Sequence, residues 1–197
     1  MVDILENSKA LPPVDVVIMA AGKGTRMKSK LPKVLHLLAG RALLQHVVDT
    51  AAELAARQVV VITGHGAIEV EAALAGNTGA RALFDINFVR QEPQLGTGHA
   101  VQQTVPVLKD DGIVVVLSGD VPLTQAATLQ QLIAACDGTR LALLTLDLAD
   151  PTGYGRIVRH GEVVQAIVEH KDASAAQREI REIYSGIMAV PAAQLKK

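Results

Sequence analysis

The residues that most constrain the fold are 113–117, whose sequence IVVVL contains no polar side chain. A strand that is apolar at every position must be covered on both faces, as the central strands of parallel sheets are. This run therefore predicts a central parallel strand in a sheet with helices packed over it.

The rest of the chain alternates between strand-like and helix-like hydrophobic patterns. Strands are predicted at 14–20, 58–63, 81–89 and 141–148, and helices at 41–56, 67–74, 98–108 and 124–135, the last with Thr124 as its N-cap. Such alternation is typical of βαβ units with right-handed crossovers. Beyond residue 150 the patterns predict a hairpin of 156–159 with 163–168, a short helix at 174–179 and a last strand at 187–190.

These elements predict one domain over residues 14–197, preceded by a flexible lead-in at residues 1–13. The expected fold class is a three-layer, Rossmann-like α/β domain with a mixed, mainly parallel sheet and a small hairpin lobe. Ligands of open α/β sheets bind beyond the carboxyl ends of the strands. Functional residues are therefore expected in the loops that follow the strands.

A glycine-rich loop follows the first predicted strand, within the segment MAAGKGTRMKSKLPK at 19–33. Gly22 and Gly24 allow a sharp turn in which successive backbone N–H groups face a ligand, and such concavities bind anions. Cationic side chains are clustered in the same segment, at Lys23, Arg26, Lys28, Lys30 and Lys33. The strand, the turn and the cations together predict a site for a phosphorylated ligand such as a nucleotide.

Two common phosphate-binding motifs do not match this loop. The dinucleotide fingerprint G-x-G-x-x-G requires a third glycine where the sequence has Met27, and no acidic residue ends the next strand to bind a ribose. The P-loop sequence G-x-x-x-x-G-K-[ST] does not occur in the chain. A nicotinamide-dependent dehydrogenase is therefore a poor candidate.

Composition excludes several further classes of protein. The net charge of −1 argues against a nucleic-acid-binding protein. Cys136 is the single cysteine, which excludes a disulfide framework and a cysteine metal site, and the six histidines lack metal-binding spacing. Neither a secretory signal nor an apolar stretch long enough to span a membrane occurs in the sequence, which predicts a cytoplasmic protein without a membrane partner.

Five sequence motifs resemble those of one family, in the same order along the chain. They are AAGKGTRMKSKLPKVLH in the glycine loop, QLGTGHA at 94–100, SGDVPL at 118–123, DPTGYGRI at 150–157 and IVEHKD at 167–172. The first resembles the signature loop of the sugar-nucleotide pyrophosphorylases. Together they resemble the uridylyltransferase domain of the family of bifunctional N-acetylglucosamine-1-phosphate uridylyltransferase/glucosamine-1-phosphate acetyltransferases, from about residue 14 onwards.

This resemblance implies a nucleotide-diphospho-sugar transferase fold and a UTP-dependent nucleotidyltransferase. The implied substrates are UTP and N-acetylglucosamine-1-phosphate, and the implied products are UDP-N-acetylglucosamine, a precursor of cell-wall and lipopolysaccharide synthesis, and pyrophosphate. The implied cofactor is Mg²⁺, with Asp120 as its ligand just past the apolar run. Mg²⁺ sites of this kind take one or two carboxylates together with substrate phosphates.

The resemblance also assigns roles to individual residues of the matching motifs. The catalytic residues would be Arg26, at the outgoing phosphates, and Lys33, at the attacked α-phosphate. The nucleotide-binding residues would be Ala20, Ala21, Gly22, Lys33, Gln91, Gly96 and Thr97, and the substrate-binding residues Gly119, Gly155, Glu169 and Tyr184. The sequence departs from the family at Ser118, where Tyr is frequent, and at Tyr184, where Asn is usual.

Alternatives remain open on the sequence alone. Cytidylyltransferases and guanylyltransferases share the first loop, although QLGTGHA and DPTGYGRI favour the uridylyl branch. A nucleotide-binding fragment with little turnover is also possible, because the family's second metal ligand and its β-helix acetyltransferase domain are expected beyond residue 197. Full-length relatives are expected to form trimers through that domain, and this chain is not expected to do so.

Overall fold

A computed structural model describes residues 12–24, 27–75 and 85–196. Its strands are β1 (Val14–Met19), β2 (Leu37–Leu38), β3 (Arg41–Ala42), β4 (Gln58–Thr63), β5 (Asp85–Arg90), β6 (Ile113–Ser118), β7 (Ala142–Asp147), β8 (Arg156–His160), β9 (Val163–Val168) and β10 (Glu182–Pro191). Its α-helices are α1 (Leu43–Glu53), α2 (Ala67–Ala75), α3 (Thr97–Gln102), α4 (Ala126–Cys136), α5 (Ala175–Arg178) and α6 (Ala192–Leu195). A 3-10 turn covers Lys33–Leu35.

Eight of the strands form one sheet in the order β5-β4-β1-β6-β10-β8-β9, with β7 also paired to β10. The four strands from β5 to β6 are parallel, with Val17 of β1 lying between Val60 and Val116. β10 is antiparallel to β6, and both β7 and β8 are antiparallel to β10. Six of the eight strands therefore run in the same direction, and the predicted mixed, mainly parallel sheet is confirmed.

The side chains of the central strands alternate between two hydrophobic clusters. Val16 and Ile18 of β1 belong to the larger cluster, which α1, α2 and α4 cover, and Val17 belongs to the other, which α3 and α6 cover. Because successive strand residues point to opposite faces, this division places helices on both sides of the sheet. The predicted three layers are confirmed, and Cys136 is fully buried in the larger cluster, where burial raises the pKa of its thiol.

Several elements end at residues other than those predicted. The first helix begins at Leu43 because the two residues before it pair with Leu37–Leu38 in a hairpin. α3 ends at Gln102 rather than at residue 108, and Pro106 disfavours helical backbone in the residue before it. α4 begins at Ala126 with Gln125 as its N-cap, so the prediction of Thr124 as the cap is wrong.

The structure also gives the bounds of the last strand and of the hairpin lobe. β10 begins at Glu182 rather than at residue 187, because its first half pairs with β7 and touches β8. β8 and β9 form the predicted antiparallel hairpin. The strand predicted at 81–89 is present as Asp85–Arg90; residues 81–84, like most of the predicted lead-in, lie outside the described ranges.

Candidate functional site

The carboxyl ends of β1, β4, β5 and β6 meet at one edge of the sheet because these strands are parallel. The glycine loop follows β1, Gln91 follows β5 directly, and Asp120 lies two residues beyond β6. The motif-bearing loops therefore converge where ligands of α/β sheets bind. Arg26, predicted to be catalytic, lies outside the described residues.

The first part of the glycine loop is held against the neighbouring loops by backbone hydrogen bonds. The N–H of Ala20 donates to the carbonyl of Ile62 at 2.9 Å. The carbonyl of Ala21 accepts from the N–H of His65 at 3.3 Å and from the side-chain amide of Gln94 at 3.0 Å. Both alanines are buried, so their role is to fix the start of the turn.

Gly24 explains why the loop needs a second glycine. Its φ is +59°, and a Cβ at this position would lie 2.8 Å from the Cβ of Lys33. Any larger residue would therefore be strained and would push Lys33 away from the turn. A Cβ on Gly22 would meet no atom within 4 Å, so the space beside Gly22 is open to a ligand.

Lys33 and Asp120, predicted separately as a catalytic cation and a metal ligand, form an ion pair. The Asp120 carboxylate also accepts a hydrogen bond of 2.7 Å from the hydroxyl of Ser118. Burial favours the neutral carboxyl, but the hydrogen bonds from Lys33 and Ser118 outweigh it, so the pKa of Asp120 is lower than its ordinary value. Asp120 is therefore an ionised carboxylate at neutral pH.

Gly119 lies between Ser118 and Asp120 and is buried. Its N–H donates to the carbonyl of Met19 at 3.0 Å. A Cβ here would lie 3.1–3.2 Å from Met19, Val34 and Leu44. This glycine allows the turn after β6 to approach the end of β1, which is how Asp120 reaches Lys33.

Gln91 is buried at the end of β5, and its side chain is already engaged by the protein. Its amide nitrogen lies 2.9 Å from the carbonyl oxygen of Gly96 and 3.2 Å from Nδ1 of His99. A carbonyl can only accept, so the amide nitrogen must be the donor, and this fixes the orientation of the amide. The amide nitrogen of Gln91 is therefore engaged within the protein, and only its oxygen remains for a ligand.

The loop that carries Gly96 and Thr97 turns sharply before α3. Gly96 has a φ of +108°, which favours glycine, and Thr97 is the first residue of the helix and is exposed. Both residues are therefore in an exposed turn, where their backbone groups are accessible to a ligand.

A cleft of about 710 Å³ opens between these loops. Its lining includes Gln91, Lys23 of the predicted cation cluster, and two side chains that the motifs did not assign to the site, His65 and Arg90. Arg90 is held by two hydrogen bonds to Glu71 of α2, which also accepts from the hydroxyl of Thr63. The volume is that of a small-molecule site, and the position of His65 and Arg90 at strand ends was the available sequence signal.

Three of the four predicted sugar-binding residues, Gly155, Glu169 and Tyr184, come together on the other half of the sheet, whereas Gly119 lies at the end of β6. The N–H of Tyr184 on β10 donates to the carbonyl of Gly155 at 2.9 Å. A Cβ on Gly155 would lie 3.8 Å from a carboxylate oxygen of Glu169 and 3.1 Å from Ile167. Burial raises the pKa of Tyr184 to about 12, so its phenol is neutral at physiological pH.

A metal ion would find few ligands in the described ranges. No three His, Cys, Asp or Glu side chains are grouped there in a way that could hold one. Asp120 fits a cation that takes one carboxylate and completes its shell with phosphate oxygens and water.

None of the helices in the described ranges is long and apolar enough to cross a membrane.

A family model described as the MobA-like NTP transferase domain matches residues 16–185. The chain belongs to this family. Nucleotidyltransferases of this family generally use a divalent metal. The ionised Asp120 at the strand ends agrees with this.

Two curated relatives of the chain have the same name. The Bifunctional protein GlmU of Albidiferax ferrireducens is 82% identical over 183 residues, which cover 93% of this chain and 39% of the relative. That of Polaromonas naphthalenivorans is 73% identical over 192 residues, covering 95% and 41%. The chain thus spans about two fifths of these relatives, and the resemblance predicted from the five motifs is confirmed.

Solved structures in the same fold are more distant in sequence. A UDP-glucose pyrophosphorylase complexed with UDP-glucose matches with a TM-score of 0.75 and 18% identity, covering 90% of this chain and 76% of that one. A putative glucose-1-phosphate thymidylyltransferase from Bacillus anthracis matches with a TM-score of 0.76 and 16% identity, covering 92% and 73%. These similarities show the predicted fold class.

Proposed function

We propose that this domain forms UDP-N-acetylglucosamine and pyrophosphate from UTP and N-acetylglucosamine-1-phosphate. The observation that carries the proposal is the ion pair of Lys33 and Asp120 at the carboxyl ends of β1 and β6. A flexible cation and an ionised carboxylate are the charges that a metal-bound triphosphate requires. High identity to proteins named Bifunctional protein GlmU supports this choice of substrates.

The divalent metal of the proposal is Mg²⁺, held by Asp120 and by phosphate oxygens of UTP. When bound, the ion neutralises charge on the triphosphate and orients it. If Asp120 held the cation, the ammonium group of Lys33 would be free to meet the α-phosphate. In the absence of the nucleotide, the ion pair holds the two side chains at the strand ends.

The protein's contribution to catalysis is positioning and charge neutralisation. The attacking phosphate of the sugar is already an anion and needs no general base. Ala20, Ala21 and Gly22 present backbone to the nucleotide, while Lys33 stabilises charge on the attacked phosphorus centre. Arg26 is proposed to contact the outgoing phosphates.

Base recognition is assigned to the loop after β5. The Gln91 oxygen is proposed to accept from N3–H of uracil, while backbone groups of Gly96 and Thr97 lie against the ring. Support comes from the two contacts that hold the Gln91 amide nitrogen inside the protein. The N-acetylglucosamine moiety is proposed to bind at Gly119, Gly155, Glu169 and Tyr184, where a carboxylate suits sugar hydroxyls.

The proposal is tested with a coupled pyrophosphate-release assay on the 197-residue chain. Pyrophosphate should appear only when UTP, N-acetylglucosamine-1-phosphate and Mg²⁺ are all present, and CTP or GTP should give little. Nucleotide binding without pyrophosphate release would instead show a binding domain.

The proposal includes a cytoplasmic location, because nucleoside triphosphates are cytoplasmic substrates. It also includes a role in cell-wall precursor synthesis, because UDP-N-acetylglucosamine is the proposed product.

A further inference from the structure

Arg156 is the first residue of β8 and directly follows Gly155. It is only 1% exposed, and it is among the largest fully buried side chains of the described ranges. Within those ranges no ion pair joins its guanidinium to a carboxylate, and its Nε has no hydrogen-bond partner. A buried charge that makes no direct ion pair is costly, so its presence calls for a physical reason.

Arg57 shows how differently another arginine of the chain is placed. Its guanidinium pairs with the buried Asp15 at 2.8 Å and with Asp111 at 2.8 Å, and these contacts raise its pKa. That arrangement lies at the amino end of β1, away from the loops of the candidate site. Arg57 is a structural clamp with two direct ion pairs, whereas Arg156 makes its hydrogen bonds with backbone carbonyls and an imidazole nitrogen and interacts with the charge of Asp150 without pairing with it.

The contacts of Arg156 connect three segments around the predicted sugar-binding residues. One terminal nitrogen donates to the carbonyl of Tyr154, the residue before Gly155. The other lies 3.2 Å from Nδ1 of His170, the residue after Glu169, and 3.4 Å from the carbonyl of Arg178, the last residue of α5. The guanidinium therefore connects the residue before Gly155 with the residue after Glu169.

The space between Gly155 and Glu169 is narrow, which makes their relative position sensitive to this bridge. A Cβ on Gly155 would already lie within 3.8 Å of the Glu169 carboxylate. Glu169 is exposed and lies between two residues that are joined to Arg156: Val168 pairs with it in the β8–β9 hairpin, and His170 contacts its guanidinium. A rigid, forked cation is well suited to holding two loops at one separation, because its donors are fixed in a plane.

We propose that Arg156 is a positioning residue of the sugar subsite, which sets the separation of Gly155 and Glu169 through Tyr154 and His170. The inference rests on the proposed function. It goes beyond that function in naming a buried residue that touches no ligand and yet determines how tightly the sugar is bound. Nucleotide binding, which lies at the loops after β1 and β5, does not depend on it.

The test compares binding of UDP with binding of UDP-N-acetylglucosamine by isothermal titration calorimetry. Arg156→Met keeps an unbranched apolar stem and removes the guanidinium, and Arg156→Lys keeps the charge without the fork. Arg159→Met is the matched control, since Arg159 lies on the same strand and pairs with Glu182 at the surface. Thermal melting of each variant reports on folding.

Arg156→Met should raise the Kd for UDP-N-acetylglucosamine by about tenfold or more, because displacement of Gly155 and Glu169 would weaken the hydrogen bonds between the sugar and the Glu169 carboxylate. Its Kd for UDP should stay within about twofold of the unmodified chain, because a purely structural defect would weaken both ligands. Arg156→Lys should lie between the two, and Arg159→Met should change neither. If Arg156→Met does not fold, His170→Ala, which removes one partner of the guanidinium, should give the same selective loss.

Two results would overturn the inference, and they are distinguishable. If the unmodified chain binds UDP but shows no interaction with the sugar of UDP-N-acetylglucosamine, the proposed function fails and the inference fails with it. If the unmodified chain does recognise the sugar, and folded Arg156 and His170 variants keep its ratio of UDP to UDP-sugar affinity, the inference alone is wrong.

Discussion

Lys33 of the loop after β1 and Asp120 of the turn after β6 form an ion pair. No carboxylate lies near Lys33 in the sequence, which suggested that this lysine has no partner of its own. The parallel pairing of β1 with β6 supplies one, since Met19 and Ser118 end adjacent strands in register. Two residues predicted for different roles are thus parts of one electrostatic unit.

Lys33→Ala should reduce turnover far more than stability. Loss of one electrostatic contact to the transition state typically costs about 10²–10³-fold in rate. The ion pair is partly exposed, with side-chain exposures of 38% and 20%, so its loss should cost less than about 1 kcal/mol of unfolding free energy. Pyrophosphate release and urea unfolding measure the two effects, with Lys109→Ala, an exposed lysine outside the glycine loop, as the control. Parallel loss of activity and folding would show that Lys33 is structural.

The stability contribution of Asp120 should depend on pH in one direction. Its pKa is lower in the folded chain than in the unfolded one, so the ionised carboxylate stabilises the fold above the ordinary pKa of about 4. That contribution should disappear as the pH falls through the lowered value. The difference in unfolding free energy between the unmodified chain and Asp120→Asn should therefore be constant from pH 5 to 7 and shrink below about pH 4. A difference that grows on acidification would contradict the assignment.

UTP should bind more tightly than CTP. The Gln91 oxygen is the group left free by the contacts to Gly96 and His99, and it can accept from N3–H of uracil. Cytosine has an unprotonated N3, which would face that oxygen as a second acceptor. Calorimetric titration should give UTP an advantage of about tenfold, which Gln91→Met should abolish. Equal affinities for UTP and CTP in the unmodified chain would exclude this role of Gln91.

Tyr184 should supply a hydrogen bond through a neutral phenol. Because burial raises its pKa to about 12, the hydroxyl remains a donor throughout the range from pH 6 to 10. Tyr184→Phe should weaken UDP-N-acetylglucosamine binding by about threefold to tenfold, and Tyr184→Asn should restore much of it. Titrations of the three proteins with the same ligand compare them directly. If Phe binds as well as Tyr, the hydroxyl takes no part in recognition.

Local features of this chain were predictable from the sequence because local forces determine them. The apolar run at 113–117 could only be a buried strand, and Gly22 and Gly24 could only mark a turn. The boundary of α3 was missed because apolar spacing continues past the helix while Pro106 interrupts the backbone. The spacing of apolar residues predicts a longer helix than the backbone conformation near Pro106 allows, so the helix ends earlier than predicted.

The contacts that define the site could not be predicted in this way. The pairing of Lys33 with Asp120 depends on which strands are neighbours, and the tie from Gln94 to Ala21 joins loops that are far apart in sequence. The orientation of the Gln91 amide depends on a carbonyl that only the folded turn brings near. Residue types indicated the chemistry, whereas the sheet order determined which groups are free to perform it.

The most direct test of the Lys33–Asp120 account is calorimetric titration of UTP with and without Mg²⁺. Mg²⁺ should increase the affinity of the unmodified chain for UTP, because Asp120 is proposed to hold the ion together with the phosphates. Asp120→Asn should remove most of that increase, while the affinity for UTP without metal should change little. If the Mg²⁺-dependent gain is the same in Asp120→Asn as in the unmodified chain, Asp120 does not hold the metal and the account is wrong.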